Sequence, residues 1–362
     1  MYINSLELSN YRNYDHLYVD FDKGTTILYG DNAQGKTNIL EALYLSSTTK
    51  SHRGSKDRDI IKFDREESHI KVNVSKHDIN HKIDMHLRKI KSKGVAIDGM
   101  SIKKSGDLFG ILNIIFFSPE DLGIVKDSPA IRRRFIDLEL CQLNKLYYFN
   151  YTNYNKTLIQ RNNLLKKIYF KPDLIDTLDV WDQKLVEYGC NIIKYRGEFI
   201  EMLNDIIIDI HSNITGGKEK IFLSYDKNVD IKDYQEMLIS KRQSDLKYQT
   251  TQVGPHRDDM SFLINSIDVK KYGSQGQQRT AVLSLKLAQI ELVRKITRDN
   301  PILLLDDVMS ELDHNRKDYL LKSIDNIQTI ITCTGYDDFI KSRMVIDKVY
   351  RVKDNNIYQN EI

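Results

Sequence analysis

The pattern of apolar and polar positions predicts an α/β fold that is interrupted by a helical region. Apolar residues alternate with polar ones between residues 70 and 100, which is typical of an antiparallel meander of strands. Short continuous apolar runs at 25–29, 302–305 and 329–332 indicate buried strands. Similar signals predict a hairpin at the start of the chain, strands at 111–117, 221–225, 260–264 and 267–269, and helices at 277–296 and after Asp313.

The helical region lies between about residues 130 and 215, where apolar side chains recur every three or four positions. A heptad-like stripe from Leu178 to Ile206 predicts one long helix, and a looser stripe before it predicts another. Pro172 and Asp173 stand where a break and a new N-cap are expected. We interpret the region as two long helices packed together in an inserted arm, with a compact bundle as the alternative.

Length and composition place few further limits on the protein. A chain of 362 residues favours two domains, or one large α/β domain with an insertion. The net charge of +3 neither requires nor excludes a nucleic-acid partner. No apolar run approaches the roughly 20 residues that span a membrane, and no secretory signal opens the chain, so we expect a cytoplasmic protein with no membrane partner. The scattered cysteines fit a reducing compartment.

The strongest chemical signal is a phosphate-binding loop between the strand at 25–29 and a predicted helix. Gly30, Gly35, Lys36 and Thr37 fill the pattern G-x-x-x-x-G-K-T. Glycines let such a loop wrap around phosphate oxygens, and N–H groups at the helix start hold the negative charge. We expect Lys36 to reach the β- and γ-phosphates of ATP and the Thr37 hydroxyl to bind Mg²⁺. The predicted ATP-binding residues are Gly30, Asp31, Asn32, Ala33, Gln34, Gly35, Lys36, Thr37 and Asn38.

Two adjacent carboxylates, Asp306 and Asp307, follow the buried strand at 302–305. The carboxyl ends of strands are where open α/β sheets place their ligands. One carboxylate can hold Mg²⁺ and the other can orient the attacking water, which suits phosphoryl transfer. Alone the pair is a weak signal, but together with the phosphate-binding loop it indicates an ATPase.

A third motif, Ser274-Gln275-Gly276, precedes the predicted helix at 277–296. A serine hydroxyl and glycine N–H groups at a helix start form an anion site, although an ordinary glycine-rich N-cap would look the same. The Asp pair follows this motif, and Ser310-Glu311-Leu312-Asp313 comes next. This order resembles that of ABC ATPases, in which the third motif is the signature and the last is the D-loop.

Across the whole chain, the motifs resemble those of the RecF family of bacterial recombination proteins. The segments that carry the resemblance are Leu8-Ser9-Asn10-Tyr11-Arg12-Asn13-Tyr14, the phosphate-binding loop, Lys50-Ser51-His52-Arg53, Ser118-Pro119-Glu120-Asp121-Leu122, Gly254-Pro255-His256-Arg257-Asp258-Asp259, Tyr272-Gly273-Ser274-Gln275-Gly276-Gln277-Gln278-Arg279, and Leu305-Asp306-Asp307-Val308-Met309-Ser310-Glu311-Leu312-Asp313.

The resemblance implies an α/β fold of the SMC-like, ABC-type ATPase head, with a P-loop core sheet, an antiparallel β subdomain and an inserted helical arm. The corresponding domains are an N-terminal lobe of the head at 1–125, the arm at 126–217 and a C-terminal lobe at 218–362. The resemblance also implies a DNA-binding, ATP-dependent homodimer with weak, DNA-stimulated ATP hydrolysis. Its implied role is to grip single-stranded or duplex DNA at gaps, to help RecR and RecO load RecA, and to support the SOS response.

Carried over to this sequence, the resemblance implies ATP and Mg²⁺ as cofactors. Lys36 and Asp307 would be catalytic, with Asp307 as the general base, and Thr37 and Asp306 would hold Mg²⁺. Many ABC ATPases carry Glu where this chain has Asp307, and the shorter side chain is expected to give slow, switch-like hydrolysis. The signature residues expected to act in trans are Ser274, Gln275 and Gly276, and Asp313 belongs to the D-loop.

The sequence departs from the ABC pattern in two places. No clear Q-loop glutamine follows the strand at 111–117, where Glu120 and Asp121 are the candidate replacements. No switch histidine follows the last core strand, where Thr332-Cys333-Thr334 stands.

Clustered basic residues could contact DNA phosphates without reading sequence. The alternatives are a solvated surface for each cluster, and salt bridges inside the head for the run of three arginines. The candidates are Lys50, Arg53, Lys56, Arg132, Arg133 and Arg134.

An ABC-type ATPase subunit of a non-DNA complex, such as a transporter, is the main alternative function. The helical insertion between the phosphate-binding loop and the signature argues against it. A structural SMC-type protein with long coiled coils is less compatible still, because the helical stretch is short and no Cys-x-x-Cys zinc hook is present.

Overall fold

The structure, a computed structural model, describes residues 1–335 and 345–360. The strands in chain order are β1 (Tyr2–Tyr11), β2 (Tyr14–Asp20), β3 (Thr25–Tyr29), β4 (Glu67–Lys76), β5 (Ile79–Arg88), β6 (Gly94–Ile97), β7 (Met100–Ser101), β8 (Ile114–Phe117), β9 (Ile221–Asp226), β10 (Asp259–Ile264), β11 (Ile267–Asp268), β12 (Ile302–Asp306), β13 (Thr329–Cys333), β14 (Lys348–Lys353) and β15 (Asn356–Asn360).

The α-helices in chain order are α1 (Lys36–Thr48), α2 (Asp57–Ile60), α3 (Gly123–Lys126), α4 (Pro129–Leu143), α5 (Lys145–Ile168), α6 (Leu178–Thr215), α7 (Tyr234–Ser240), α8 (Arg242–Tyr248), α9 (Val269–Tyr272), α10 (Gln275–Thr297) and α11 (His314–Ser323). Among the residues that the structure describes, none of these helices combines the length and apolar character needed to cross a membrane.

The chain forms two compact units. The first consists of Met1–Asp121 and Gln289–Ile362, and the second of Leu122–Ala288. The predicted domain boundary at 125–126 lies four residues from this division, whereas the one predicted at 217–218 falls inside the second unit. The strands β9 to β11 therefore belong to the same unit as the long helices.

A largely parallel sheet in the first unit has the order β15-β14-β3-β13-β12-β8. Strands β14, β3, β13, β12 and β8 run parallel, and β15 pairs antiparallel with β14. Every residue of β8, β12 and β13 is buried, which agrees with their continuous apolar sequences. The prediction of a P-loop core sheet is confirmed. Because these strands are parallel, the carboxyl ends of β3 and β12 lie at the same edge of the sheet.

The second sheet of this unit is antiparallel, with the order β2-β1-β4-β5-β6-β7. Residues such as Leu6 on β1 and Val72 on β4 pair in register and point to the buried face, while the next pair, Glu7 and Lys71, is partly exposed. One apolar core joins this face to α1 and to the parallel sheet through Leu43 and Leu304. Helix α1 is therefore held from both sides, which fixes the start of the helix at the phosphate-binding loop.

The second unit contains the long helices and a small sheet with the order β11-β10-β9. The stretch before Pro172, predicted as one helix, is divided into α4 and α5 at Asn144. The Asn144 side chain accepts hydrogen bonds from the backbone N–H groups of Leu146 (2.9 Å) and Tyr147 (3.0 Å), which begins a new helix. The prediction of only two helices over 130–215 is therefore wrong, because an N-cap residue interrupts the first one.

A buried ionic network ties α4 and α6 to the segment at 254–259 in the same unit. Arg196 on α6 donates to the Asp137 carboxylate at 2.8 Å, to the Asp258 carboxylate at 3.1 Å and to the carbonyl oxygen of Pro255 at 2.7 Å. The three charged side chains are almost completely buried. Removing one member would leave an uncompensated buried charge, at a cost of about 3–5 kcal/mol. The motif at 254–259 therefore organises the core of this unit.

Candidate functional site

The phosphate-binding loop spans residues 30–35, between the end of β3 and the start of α1. Gly35 has a φ of 101°, a conformation that L side chains rarely adopt. A Cβ at Gly35 would lie only 2.5 Å from Asn13 Nδ2 and 2.6 Å from the Tyr14 hydroxyl. The buried Lys36 ammonium donates to the carbonyl oxygens of Gly30 (2.5 Å) and Asp31 (2.9 Å), so it lies inside the loop.

Thr37 and Asp306 meet at the edge of the parallel sheet. The Thr37 hydroxyl donates to Asp306 Oδ1 at 2.8 Å. Two oxygen groups of the kind that Mg²⁺ prefers are thus adjacent, one on α1 and one at the end of β12. The structure brings together the residues that the sequence assigned to the metal.

Thr332 on β13 is a member of the site that the sequence analysis did not assign. Its hydroxyl donates to Asp306 Oδ1 at 2.7 Å and accepts a hydrogen bond from the backbone N–H of Asp307 at 3.0 Å. The side chain is fully buried. One hydroxyl therefore fixes the carboxylate of Asp306 and the backbone of Asp307 together. Thr332 lies beside the Asp pair because β12 and β13 are neighbouring strands of the parallel sheet. The sequence could have indicated its role only if the strand order had been known.

Asp307 occupies the left-handed backbone region, with a φ of 52°. Asp is one of the few non-glycine residues that tolerate this conformation well, which gives a backbone reason for Asp at this position. Burial raises the pKa of its carboxyl group, and the nearby Lys36 ammonium opposes that rise. A cavity of about 520 Å³ adjoins Asp307 and is also lined by Asn32 of the loop and Thr334. A carboxylate of raised basicity facing a cavity can accept a proton from water.

Glu41 on α1 is a second site-forming residue that the sequence analysis missed. Its fully buried carboxylate accepts two hydrogen bonds from Arg12, Nε to Oε2 at 2.8 Å and Nη2 to Oε1 at 2.7 Å, and one from the Ser51 hydroxyl at 2.5 Å. Burial alone would raise the pKa of Glu41, but the hydrogen bonds from Arg12 and Ser51 outweigh it and lower the pKa. The β1–β2 hairpin, α1 and the basic segment at 50–58 are therefore locked together.

The turn between β14 and β15 also contacts the loop. The backbone N–H of Asp354 donates to Gln34 Oε1 at 2.7 Å. Asn38 Nδ2 donates to Asn13 Oδ1 at 2.8 Å, which ties α1 to the β1–β2 hairpin. Gln34 thus holds the loop against the β14–β15 turn, and Asn38 and Asn13 hold the start of α1 against the hairpin.

The Q-loop candidates lie in different environments. Asp121 Oδ2 accepts a hydrogen bond from the backbone N–H of Ser118 at 2.8 Å, so Asp121 supports its own turn. The exposed carboxylate of Glu120 lies 3.9 Å from His52 Nε2 and 4.0 Å from Arg53 Nε. Glu120 therefore neighbours the basic segment, and the assignment of a Q-loop residue stays a prediction.

The signature segment forms a reciprocal cap at the start of α10. The backbone N–H of Gln277 donates to the Ser274 hydroxyl at 3.2 Å, and the backbone N–H of Ser274 donates to Gln277 Oε1 at 2.9 Å. Ser274 and Gln275 are exposed, and Gly276 is half-buried. The start of α10 is therefore accessible to solvent.

Asp313 of the predicted D-loop begins α11. Its Oδ1 accepts a hydrogen bond from the backbone N–H of Arg316 at 3.0 Å, and its Oδ2 pairs with the Arg316 guanidinium at 2.5 Å. The Ser310 hydroxyl donates to the carbonyl oxygen of Asp307 at 2.7 Å. The D-loop is therefore hydrogen-bonded directly to the residue predicted as the general base.

The structure changes the set of candidate DNA contacts. Lys50, Arg53 and Lys56 are exposed in the first unit. In the second unit Arg132 is buried and pairs with both oxygens of Asp259, at 2.6 and 2.9 Å. The prediction that Arg132 contacts DNA is wrong for this conformation, because its donors are used inside the unit.

Arg133 and Arg134 are half-buried and line a cleft of about 200 Å³ in the second unit. Arg133 Nη1 donates to the carbonyl oxygen of Asp258 at 2.6 Å. Burial lowers the pKa of Arg133, and the positive charge of Arg196 adds to the effect. Both arginines stay candidates for a phosphate contact.

Comparisons with known proteins identify the family of this chain. The family model described as RecF/RecN/SMC N terminal domain matches residues 2–358. The DNA replication and repair protein RecF of Agathobacter rectalis is 60% identical over 352 residues, 97% of each chain, and that of Clostridium perfringens strain 13 is 47% identical over 362 residues, 99% of each chain.

Solved structures give the same result. A structure of the recombination mediator protein RecF with ATP, in the RecFOR pathway, superimposes with a TM-score of 0.93 at 37% identity, covering 99% of this chain and 98% of that one. The Smc head domain of Pyrococcus furiosus, at 15% identity and a TM-score of 0.58, shares the fold. The predicted fold class is thereby confirmed. The chain belongs to the RecF family of DNA replication and repair proteins, within the SMC-like, ABC-type ATPases.

Proposed function

We propose that this protein is an ATP-switched DNA clamp of recombinational repair. ATP and Mg²⁺ bind at the phosphate-binding loop, two copies dimerise through their heads, and the dimer grips DNA at gaps. Weak, DNA-stimulated hydrolysis then resets it. The proposal includes RecR and RecO as partners in loading RecA and supporting the SOS response. It is supported by the RecF relatives, whose names state replication and repair, and by the RecF–ATP structures of the RecFOR pathway.

One observation carries the ATPase part of the proposal. Thr37, Asp306, Thr332 and Asp307 converge where α1, β12 and β13 meet, with the Asp306 carboxylate accepting two hydroxyl hydrogen bonds of 2.7 and 2.8 Å. Thr37 and Asp306 would hold Mg²⁺, which neutralises phosphate charge when it is bound. Lys36 would bind the phosphates from inside the loop, and Asp307 would take the proton of the attacking water.

The homodimer part rests on the exposed signature cap. Ser274 and Gly276 at the start of α10 can offer a hydroxyl and N–H groups to the γ-phosphate held by the second copy. Because such contacts exist only while the γ-phosphate is present, hydrolysis would loosen the dimer. ATP therefore acts as a switch in this proposal, and a slow hydrolysis rate sets how long the clamp stays closed.

The experiment that tests this function is the binding of fluorescent gapped duplex DNA with ATP and with ADP. We expect tight binding with ATP that weakens steeply with salt, and much weaker binding with ADP and in Lys36→Ala. Lys322→Ala, which removes an exposed lysine of α11, is the matched control. Sedimentation of the same samples should show a dimer with ATP but not with ADP. Equal binding in every nucleotide state, or none, would contradict the clamp and favour an ATPase subunit of a non-DNA complex.

A further inference from the structure

The turn between α5 and α6 displays two aromatic rings to solvent. Tyr169 is 70% exposed and Phe170 is 79% exposed, and their ring centroids are 5.1 Å apart at nearly a right angle. Exposed rings of this size forgo about 1.5–3 kcal/mol of burial each. Two consecutive exposed rings in a single turn therefore form a candidate binding surface.

The backbone of the turn is held by hydrogen bonds. The backbone N–H groups of Phe170 and Lys171 donate to the carbonyl oxygen of Lys167 at 3.0 and 2.9 Å. A small apolar cluster of Leu165, Ile168 and Leu178 lies at the ends of the two helices. A ligand that binds the rings would not have to order this turn.

Three exposed lysines flank the rings in the sequence, namely Lys166, Lys167 and Lys171. Across residues 1–335 and 345–360, none of the three forms an ion pair. Lys166 and Lys167 also complement the negative end of the α5 dipole, which accounts for lysine there but not for the rings. Asp173 and Asp176 follow in the next turn, and residues 166–171 themselves include no acidic side chain.

We propose that this turn, residues 166–171, is a binding site for single-stranded nucleic acid, with bases stacked on Tyr169 and Phe170 and phosphates paired with the lysines. Every base has a flat face that can stack on an aromatic ring, and lysines beside the rings attract the backbone. A duplex hides its bases, so it could use only the lysines. The exposed area of two rings is also far smaller than the roughly 800 Å² per partner that a stable protein interface buries. The proposal rests on the proposed function in naming the ligand, the single-stranded part of a gap.

The test uses the full chain and a fluorescent oligo-dT, without nucleotide and with ADP, so that an ATP-dependent clamp does not contribute. We expect Tyr169→Ala and Phe170→Ala each to weaken oligo-dT binding by about tenfold. Tyr169→Phe should keep the affinity, because the ring remains. Phe63→Ala is the matched control, since Phe63 is 92% exposed in the first unit and stands beside Lys62, which pairs with Asp15.

The lysines are tested by Lys167→Gln and Lys171→Gln, which should reduce both the affinity and its salt dependence. Lys194→Gln is their control, because Lys194 is exposed on α6 and lies 3.9 Å from Glu198. Tyr169→Trp supplies a direct sign of stacking: oligo-dT should quench the new tryptophan, whereas Trp181 of the unmodified chain should not respond.

The outcomes separate this site from the clamp. Loss of oligo-dT binding in the ring variants, with ATP-dependent duplex binding retained, supports the proposal. Oligo-dT affinity that does not change in the ring variants, or no oligo-dT binding at all, overturns it, whatever Lys36→Ala does to the clamp. Binding of the turn to anionic phosphatidylserine vesicles or to RecR, with oligo-dT unaffected by ring removal, also overturns it. Failure of the clamp would appear only in the ATP-dependent arm.

Discussion

The hydroxyl of Thr332 gives the sharpest test of the site, because Thr332→Val keeps the shape of the side chain and removes a single polar group. The change deletes the 2.7 Å bond to Asp306 Oδ1 and leaves the backbone N–H of Asp307 without the acceptor it has at 3.0 Å. Leaving a buried polar group unsatisfied costs about 1–3 kcal/mol, so losing both bonds should lower the free energy of unfolding by about 3 kcal/mol. Thr332→Ser keeps the hydroxyl and should lose much less.

The functional consequence follows from the same two bonds. Without the Thr332 hydroxyl, the Asp306 carboxylate keeps only the hydrogen bond from Thr37. It can then rotate away from the predicted Mg²⁺ position. We therefore expect Thr332→Val to weaken ATP binding in the presence of Mg²⁺ by about tenfold, and to change binding little when EDTA is present. Urea unfolding and equilibrium ATP binding measure the two effects on the same samples.

Two results would refute this reasoning. A valine variant as stable as the unmodified protein would mean that the two hydrogen bonds do not contribute. A loss of stability without any change in Mg²⁺-dependent ATP binding would mean that Thr332 supports the sheet but does not position Asp306. Thr332→Ser separates these cases from a general loss of packing, because it removes the methyl group alone.

Three further predictions concern the same unit. Gly35→Ala should abolish ATP binding, because the new Cβ would lie 2.5 Å from a neighbouring side chain at a φ of 101°; wild-type affinity in a titration would contradict this. Asp307→Glu should raise the ATP hydrolysis rate and lower stability by about 1 kcal/mol, since Glu tolerates the left-handed backbone less well; an unchanged single-turnover rate would remove Asp307 as the base. Glu41→Gln should destabilise the fold by about 3 kcal/mol at neutral pH. Because the pKa of Glu41 is lowered by folding, its stabilisation is present above its unfolded pKa of about 4.3 and is lost as the pH falls through the folded value. The difference between the two proteins should therefore shrink in acid, and a pH-independent difference would contradict the reasoning.

Local patterns in the sequence predicted much of the fold. The runs that form β3, β12 and β13 are continuous and apolar, as strands buried on both faces must be, and the alternation at 70–100 became β4 to β6. The break between α4 and α5 was missed because the apolar spacing continues across Asn144, and only its capping geometry ends one helix and begins the next. The strands β14 and β15 were also missed, since they are short and intersperse few apolar residues among polar ones.

The sequence alone determined the phosphate-binding loop, the Asp pair, the order of the motifs and the family, because each of these depends on residue types at fixed spacing along the chain. Only the tertiary structure decided that Thr332 fixes the Asp pair, that Glu41 pairs with Arg12, and that Arg132 is buried against Asp259. Each of these contacts joins elements that are distant in the chain. Which of them meet is set by strand order and helix packing, and no local pattern of residues records that choice.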